Sequence, residues 1–361
     1  MLRSLLSGLV GALLIGACTL EVPSPPVVGA SPSPVVGGNL RFGVIGEPAT
    51  LDPFSPRATY LTFQLATPRL ERPLSLEVRP GGSVVATGRR AANRLDEGPF
   101  ELARYERGLK LVLEPNEAGE SYLDRITMFF IDSVEIALQL LKMGRLDAAA
   151  LPSSVNLDER LEELGLEHAE ELGYEAVHMH FNRRLLSGPE FIAIARRIDR
   201  KALLEGFVRG DGRSLNRLFP TPEVWDGGWA HVAVPGGDPP DAFKLAIPAG
   251  DELLALMQRA IQLQLAERGI QVELITVPAA TLYAGWIGEG PAEAVLARTI
   301  GGPGLNDPSR YERAFSRAYV MPIAHVETVL AWREGVYGLD VEPTLRGPFW
   351  NAEGWWKDAE L

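Results

Sequence analysis

Polar and apolar positions alternate between two periods along most of the chain. Asn39–Ile45 (NLRFGVI) reads as a strand, and Pro99–Tyr105 with Leu109–Glu114 reads as a hairpin turning at Arg107-Gly108. Arg125–Ile131 (RITMFFI) is a dense apolar strand. Behind it Asp132-Ser133 forms an N-cap, and Val134, Ala137, Leu138 and Leu141 recur on one face of a helix that stops at Gly144. Tyr174–Phe181 is expected to be a strand and Glu190–Val208 to be helical, in one or two pieces. Asp251–Arg268 is the clearest helix, stopped by Gly269 ahead of a strand at Ile270–Val277. Strands alternating with helices specify an α/β fold. Two stretches rich in Gly, Pro and Trp, Phe219–Pro240 and Ile287–Pro308, break the pattern and are expected to be long binding loops.

The first residues follow a different logic. Arg3 precedes an apolar run, Leu5–Ile15, which is too short to span a bilayer but suits the core of an export signal. The run ends in Ile15-Gly16-Ala17-Cys18, which resembles the bacterial lipobox, so cleavage is expected before Cys18, with lipid attached to its sulfur. Cys18 is the only cysteine, which excludes an internal disulfide and any cysteine-based metal site. Residues 18–38 carry prolines at 23, 25, 26, 32 and 34 and no amphipathic period, so they read as an extended tether that could hold a body starting near Asn39 up to about 60 Å from the lipid. The implied location is the cell envelope, facing the periplasm or the cell exterior.

Charge narrows the partners. The chain carries 35 Lys+Arg against 47 Asp+Glu, a net charge of -12, and removing residues 1–17 takes away only Arg3, making it -13. Such a surface repels phosphate backbones, so nucleic acid is not an expected partner. The length remaining suits two lobes.

Pro48–Pro53 (PATLDP), Gly98–Leu102 with Leu111–Asn116 (GPFEL and LVLEPN), Asp132–Ala148, His180–Asn182 with Ala195–Arg200 (HFN and ARRIDR), Gln262–Glu273, and Asn306-Asp307-Pro308 follow one another along the chain. In that order they resemble the peptide- and nickel-binding class (family 5) of extracellular solute-binding proteins of ABC importers. The resemblance implies a type II periplasmic-binding-protein-like clamshell, α/β, with residues 39–176 plus 326–361 as lobe I and 177–325 as lobe II, each expected to have its own sheet. It also implies a monomer that captures a peptide-like or other extended solute between the lobes and delivers it to an ABC permease. Neither a cofactor nor a metal is implied. The span between Pro53 and Gly98 is short enough that the extra small domain of the family's first lobe is expected to be absent.

Trp225, Trp229 and Trp286 are candidates for stacking on a ligand, with packing beneath a loop as the alternative. Asn306 and Asp307 stand where the resemblance places the pocket, but the family's amine-binding aspartate falls on Gly304 and its tryptophan on Gly301. A peptide ammonium would then lack its usual counter-charge, at a cost of several kcal/mol, unless Asp307 substitutes. His178 and His180 share a strand face without a third ligand at a recognisable spacing, which favours a buried pair over a metal site. Trp350, Trp355 and Trp356 are expected to close the first lobe, and Arg196, Arg197 and Arg200 to form a solvated helix face. No nucleophile elbow, paired-histidine zinc motif or phosphate loop is present, which argues against an exported hydrolase. A lipid-anchored sensor, or a clamshell that no longer serves import, is the alternative.

Overall fold

The computed structural model describes residues 33–55, 58–71, 75–78, 84–87, 95–117, 119–154, 156–200, 202–203, 237–300, 320–341 and 347–359. The first lobe is built around β1 (Asn39–Ile45), which pairs in parallel with β6 (Arg125–Ile131) on one side and β7 (Ala148–Pro152) on the other. Flanked in this way it buries Leu40, Phe42 and Val44 almost completely. Helix α1 (Tyr60–Ala66) starts from a reciprocal cap between Thr59 and Thr62. A two-stranded ribbon of β2 (Ser75–Val78) and β3 (Val84–Thr87) follows. The hairpin of β4 (Phe100–Glu106) and β5 (Lys110–Pro115) adds to the sheet edge beside β6 and turns where the sequence predicts. Ser133 caps α2 (Val134–Lys142), whose buried residues are the four predicted from periodicity, and α3 (Leu157–Glu163) packs beside it.

The second lobe contains α4 (Gly188–Ala195), β9 (Ala242–Pro248), α5 (Glu252–Ala266), β10 (Gln271–Val277), α6 (Ala279–Gly285) and β11 (Ala294–Ile300). Here β9 runs parallel to both β10 and β11. Gly144 and Gly269 follow α2 and α5 with φ of 64° and 78°, the left-handed stop that a side chain disfavours.

Two long strands join the halves: β8 (Glu167–Phe181) and β12 (Val320–Trp332) pair antiparallel from Glu167↔Trp332 to His180↔Val320. The strand order is β10-β9-β11-β8-β12-β7-β1-β6-β5-β4. The expectation of a separate sheet in each lobe is therefore corrected, because the crossing strands keep their ladder through both. The packing is nevertheless divided. Leu40, Phe42, Phe100, Met128 and Trp355 form a core on one face of the first half, and Val134, Leu138, Leu141 and Leu161 form one on the other. Met179, Phe181, Phe191, Leu254, Met257 and Ile261 form a distinct core in the second. The ladder shifts register between Pro322 and Ala324 and again between His325 and Glu327, where the chain passes from one core to the other.

The C-terminal segment returns to the first lobe. Its β14 (Trp356–Lys357) pairs with β13 (Val336–Tyr337), and Trp355 is wholly buried, stacked on Phe42 at 5.4 Å and donating from Nε1 to Asn351 Oδ1 at 2.9 Å. Trp356 stacks on Tyr337 at 4.1 Å, and Trp350 donates to the Asp340 carbonyl.

Three further expectations are revised. The strand predicted from Tyr174 begins at Glu167, because its charged first half pairs with β12. The helical stretch predicted over 190–208 in one or two pieces begins at Gly188, and its first piece ends at Ala195. Arg196 and Arg197 form the turn after it, with Arg197 folding back to donate to the Ala193 carbonyl at 2.8 Å, and helix resumes at Arg200, while 204–208 lie outside the described residues. Finally, Ile287–Pro308 is not all loop, since β11 occupies its centre between β8 and β9. Its alanines and single arginine weaken the strand signal, but Ala294, Val295, Leu296 and Ala297 are buried.

Candidate functional site: a cavity between the lobes

The carboxyl ends of β1, β7 and β9 converge, which is where ligands enter open parallel sheets. Ile45, Gly46 and Glu47 after β1, Thr59, Leu61 and Gln64 around α1, and Pro152 at the end of β7 form the first-lobe wall. Pro248 and Ala249 after β9, Asp251 at the start of α5, Ala279 and Tyr283 on α6, and Arg298 on β11 form the second. Thr328 on the crossing strand β12 forms the floor. The space is about 140 Å³, small beside the roughly 300–1,000 Å³ of typical ligand pockets, so in this conformation it accommodates a few heavy atoms of a solute.

The charged residues of the wall already have partners. Arg298, 6 % exposed, donates to Asp251 from Nε at 2.5 Å and from Nη2 at 3.2 Å, and Nη2 also donates to the Ser153 carbonyl of the first lobe at 2.9 Å. Asp251 doubles as the N-cap of α5, accepting from Leu254 N at 3.0 Å. Glu47 accepts from Tyr105 Oη and Gly108 N, each at 2.7 Å, tying the β4–β5 turn to the cavity rim. Burial and this hydrogen bond to Glu47 push the Tyr105 phenol up to about 12, so it stays a neutral donor.

Among the described residues, further contacts join the lobes beside Arg298. Arg160 on α3 pairs with Glu135 on α2 and reaches Glu252 on α5 at 3.4 Å. Gly250 lies against the Asp132 carbonyl so closely that a Cβ would stand 1.8 Å from that oxygen, and its φ of 86° independently disfavours a side chain. The lobes are closed on each other.

Of the residues singled out from sequence, Trp286 ends α6 and packs, partly buried, with Leu282, Ala292 and Val295; it is not among the residues lining the cavity. Cys18, Trp225, Trp229, Gly304, Asn306 and Asp307 lie outside the described residues. Among the described residues no group of three or more His, Cys, Asp or Glu side chains is arranged for a metal. His178 and His180 are buried and share the Thr299 hydroxyl, at 2.6 Å from His178 Nδ1 and 3.3 Å from His180 Nε2. Sequence reasoning passed over Arg298 and Asp251 as site residues. Their signals were a lone cation within an apolar run and a helix-capping aspartate, and neither signal announces that the other is its partner.

Burial lowers the His180 imidazole to about 4. Above the unfolded value near 6.5 the ring is neutral in both states, so it has no effect on stability there. As pH falls from about 6.5 toward 4, the unfolded chain takes up a proton that the folded chain refuses, and stability is lost. From pH 7 to 5 this amounts to about 2 kcal/mol. Denaturant curves at both values should show that loss, and the His180→Gln variant should show correspondingly less; equal losses in the two proteins would mean that His180 does not titrate in this way.

A two-lobed α/β body with a cavity walled by both lobes has the architecture of a solute-binding protein. The family model for bacterial extracellular solute-binding proteins, family 5 Middle, matches residues 87–318. The chain belongs to that family, whose members bind substrates for ABC importers outside the cytoplasm and are not enzymes. No curated protein sequence matches it. Among solved structures, the periplasmic EDTA-binding protein EppA matches with a TM-score of 0.62 at 14% identity, over 91% of this chain and 98% of that one. The oligopeptide-binding protein AppA from Bacillus subtilis, in complex with a nonapeptide, matches with a TM-score of 0.61 at 14% identity, over 90% and 100%. AgaA from A. tumefaciens R10, in complex with agropinic acid, matches with a TM-score of 0.60 at 16% identity, over 89% and 99%. These similarities establish the periplasmic-binding-protein-like clamshell fold.

Proposed function

We propose that this protein is the solute-capturing lipoprotein of an ABC importer, held to a membrane surface by lipid on Cys18 and acting as a monomer that hands its solute to a permease. The observation that carries the capture step is the cavity itself. Its walls come from both lobes, so filling it stabilises the closed arrangement, and closure is the shape change a permease can read. The division at residues 177 and 325 fits the two separate cores and the register shifts in β12. Relatives of this fold hold solutes as different as a nonapeptide and agropinic acid, so the fold leaves the solute open.

Capture is tested by a thermal-shift screen of the chain from Thr19 onward against peptides, opines, sugars and metal chelates. A solute at one hundred times its Kd should stabilise the protein by about 2.7 kcal/mol, a shift of a few degrees. A screen that moves the melting temperature with no solute favours a sensor or a clamshell that has lost its ligand.

Anchoring rests on the run ending Ile15-Gly16-Ala17-Cys18 and on the tether behind it. Among the described residues no helix is long and apolar enough to cross a membrane. In cells, Cys18→Ser should abolish partition of the protein into detergent; unchanged partition would refute the lipid attachment.

A further inference from the structure

Within the cavity the charged groups are matched, while two polar side chains of mostly buried residues face it without a hydrogen bond to a described residue. Gln64 on α1 is 9 % exposed and Thr328 on β12 is 7 % exposed, and both line the cavity. Neither side chain forms a hydrogen bond with another described residue. Neither has a side-chain polar atom that is both fully buried and without a partner, so these groups open on the cavity, where a solute can reach them. Gln64 is also confined from behind, since its amide packs so closely on Gly347 that a Cβ there would lie 2.6 Å from Nε2.

The contrast with the ions is informative. Arg298 is held bidentately by Asp251, and Glu47 by Tyr105 and Gly108. A solute carboxylate or ammonium reaching those residues has to compete with a hydrogen-bonded partner already in place, at the desolvation cost of a buried ion. A neutral group meets an amide that offers two donors and an acceptor, and a hydroxyl that offers one of each.

We infer, building on the capture reading above, that Gln64 and Thr328 are the pair that recognises the solute in this cavity, and that the part of the solute buried there is an uncharged amide or hydroxyl. Both residues lie on the first-lobe side, Thr328 opposite Pro152 of β7, so one small polar group bonded to both is held by the first lobe and covered by the second-lobe wall when the lobes are closed. The apolar neighbours Leu61, Ala150 and Pro248 exclude water from those bonds.

The test compares two probes of similar backbone, neutral N-acetylglycinamide and zwitterionic glycylglycine, by calorimetric titration of the chain from Thr19 onward. The neutral probe should bind more tightly, and Thr328→Val and Gln64→Leu should each weaken it about tenfold or more. The same substitutions break no hydrogen bond to a described residue, so the unliganded variants should melt near the wild-type temperature. A residue needed only for folding would lower it. Tighter binding of glycylglycine, or unchanged affinity for the neutral probe in both variants, overturns the assignment. Heat from neither probe, with a stabilising solute found elsewhere in the thermal-shift screen, overturns this inference and leaves capture standing. No stabilising solute of any kind removes the capture reading and this inference with it.

Discussion

Asp147→Ala is expected to lower folding stability by about 3–5 kcal/mol, because it strips the counter-charge from two cations at once. The Asp147 side chain has no solvent exposure. It accepts from the backbone N of Arg41 at 2.8 Å and from Arg41 Nε at 3.0 Å, and Lys357 Nζ approaches it at 3.4 Å. Arg41 lies on β1 and Lys357 on β14, so this one carboxylate fastens the C-terminal segment to the central strand of the first lobe. The Lys357 side chain is only 9 % exposed and cannot simply turn to water when Asp147 is lost. Lys357→Met is the informative comparison. It leaves Asp147 neutralised by Arg41 and puts an apolar chain of similar length in a buried site, so it should cost far less than Asp147→Ala. Denaturant unfolding of both variants measures this. A loss below about 1 kcal/mol in Asp147→Ala would show that the two cations have other compensation.

The network around Asp147 also shows what could and could not be read from sequence. β1, β6 and α2 were legible because their signals are local: an apolar run, the Ser133 cap, and apolar residues at helical spacing ended by a glycine. β11 was not, because Ala294–Ile300 becomes a strand through its neighbours β8 and β9 and not through its own propensity. The continuity of the sheet was hidden for the same reason. Glu167–Leu172 has the composition of a surface segment, and only its pairing with β12 makes it strand. At the site, the resemblance drew attention to Gly304, Asn306 and Asp307 and the residue pattern to the tryptophans Trp225, Trp229 and Trp286, of which only Trp286 is among the described residues. The described cavity is walled by residues whose roles depend on distant partners: Arg298 lies 47 positions from Asp251 and 145 from Ser153. Gln64 and Thr328 stand out only once burial and the lack of a hydrogen-bonding partner are known, and no spacing encodes either.

Arg298→Ala should have an effect of similar size, about 3–5 kcal/mol, since the Asp251 side chain is only 10 % exposed and would be left without its guanidinium. Its character should differ, however. The same Nη2 that serves Asp251 reaches the Ser153 carbonyl across the lobe boundary, so part of the loss should appear as lobe opening before global unfolding. Arg298→Lys should rescue little, because an ammonium is a single point and cannot span both acceptors as the planar guanidinium does.

The claim that the lobes close over a solute is tested most directly by spin labels on Ile136→Cys and Leu256→Cys. These positions are 46 % and 41 % exposed and lie in the first turn of α2 and the second turn of α5, beside the Glu135–Arg160–Glu252 bridge between the lobes. The chain from Thr19 onward contains no other cysteine to compete for label. The distance distribution is measured with and without a solute that raises the melting temperature. A long-distance population is expected in the unliganded protein, larger in an Arg298→Ala background, that collapses to the short distance when the solute is bound. The same distribution with and without bound solute would contradict it.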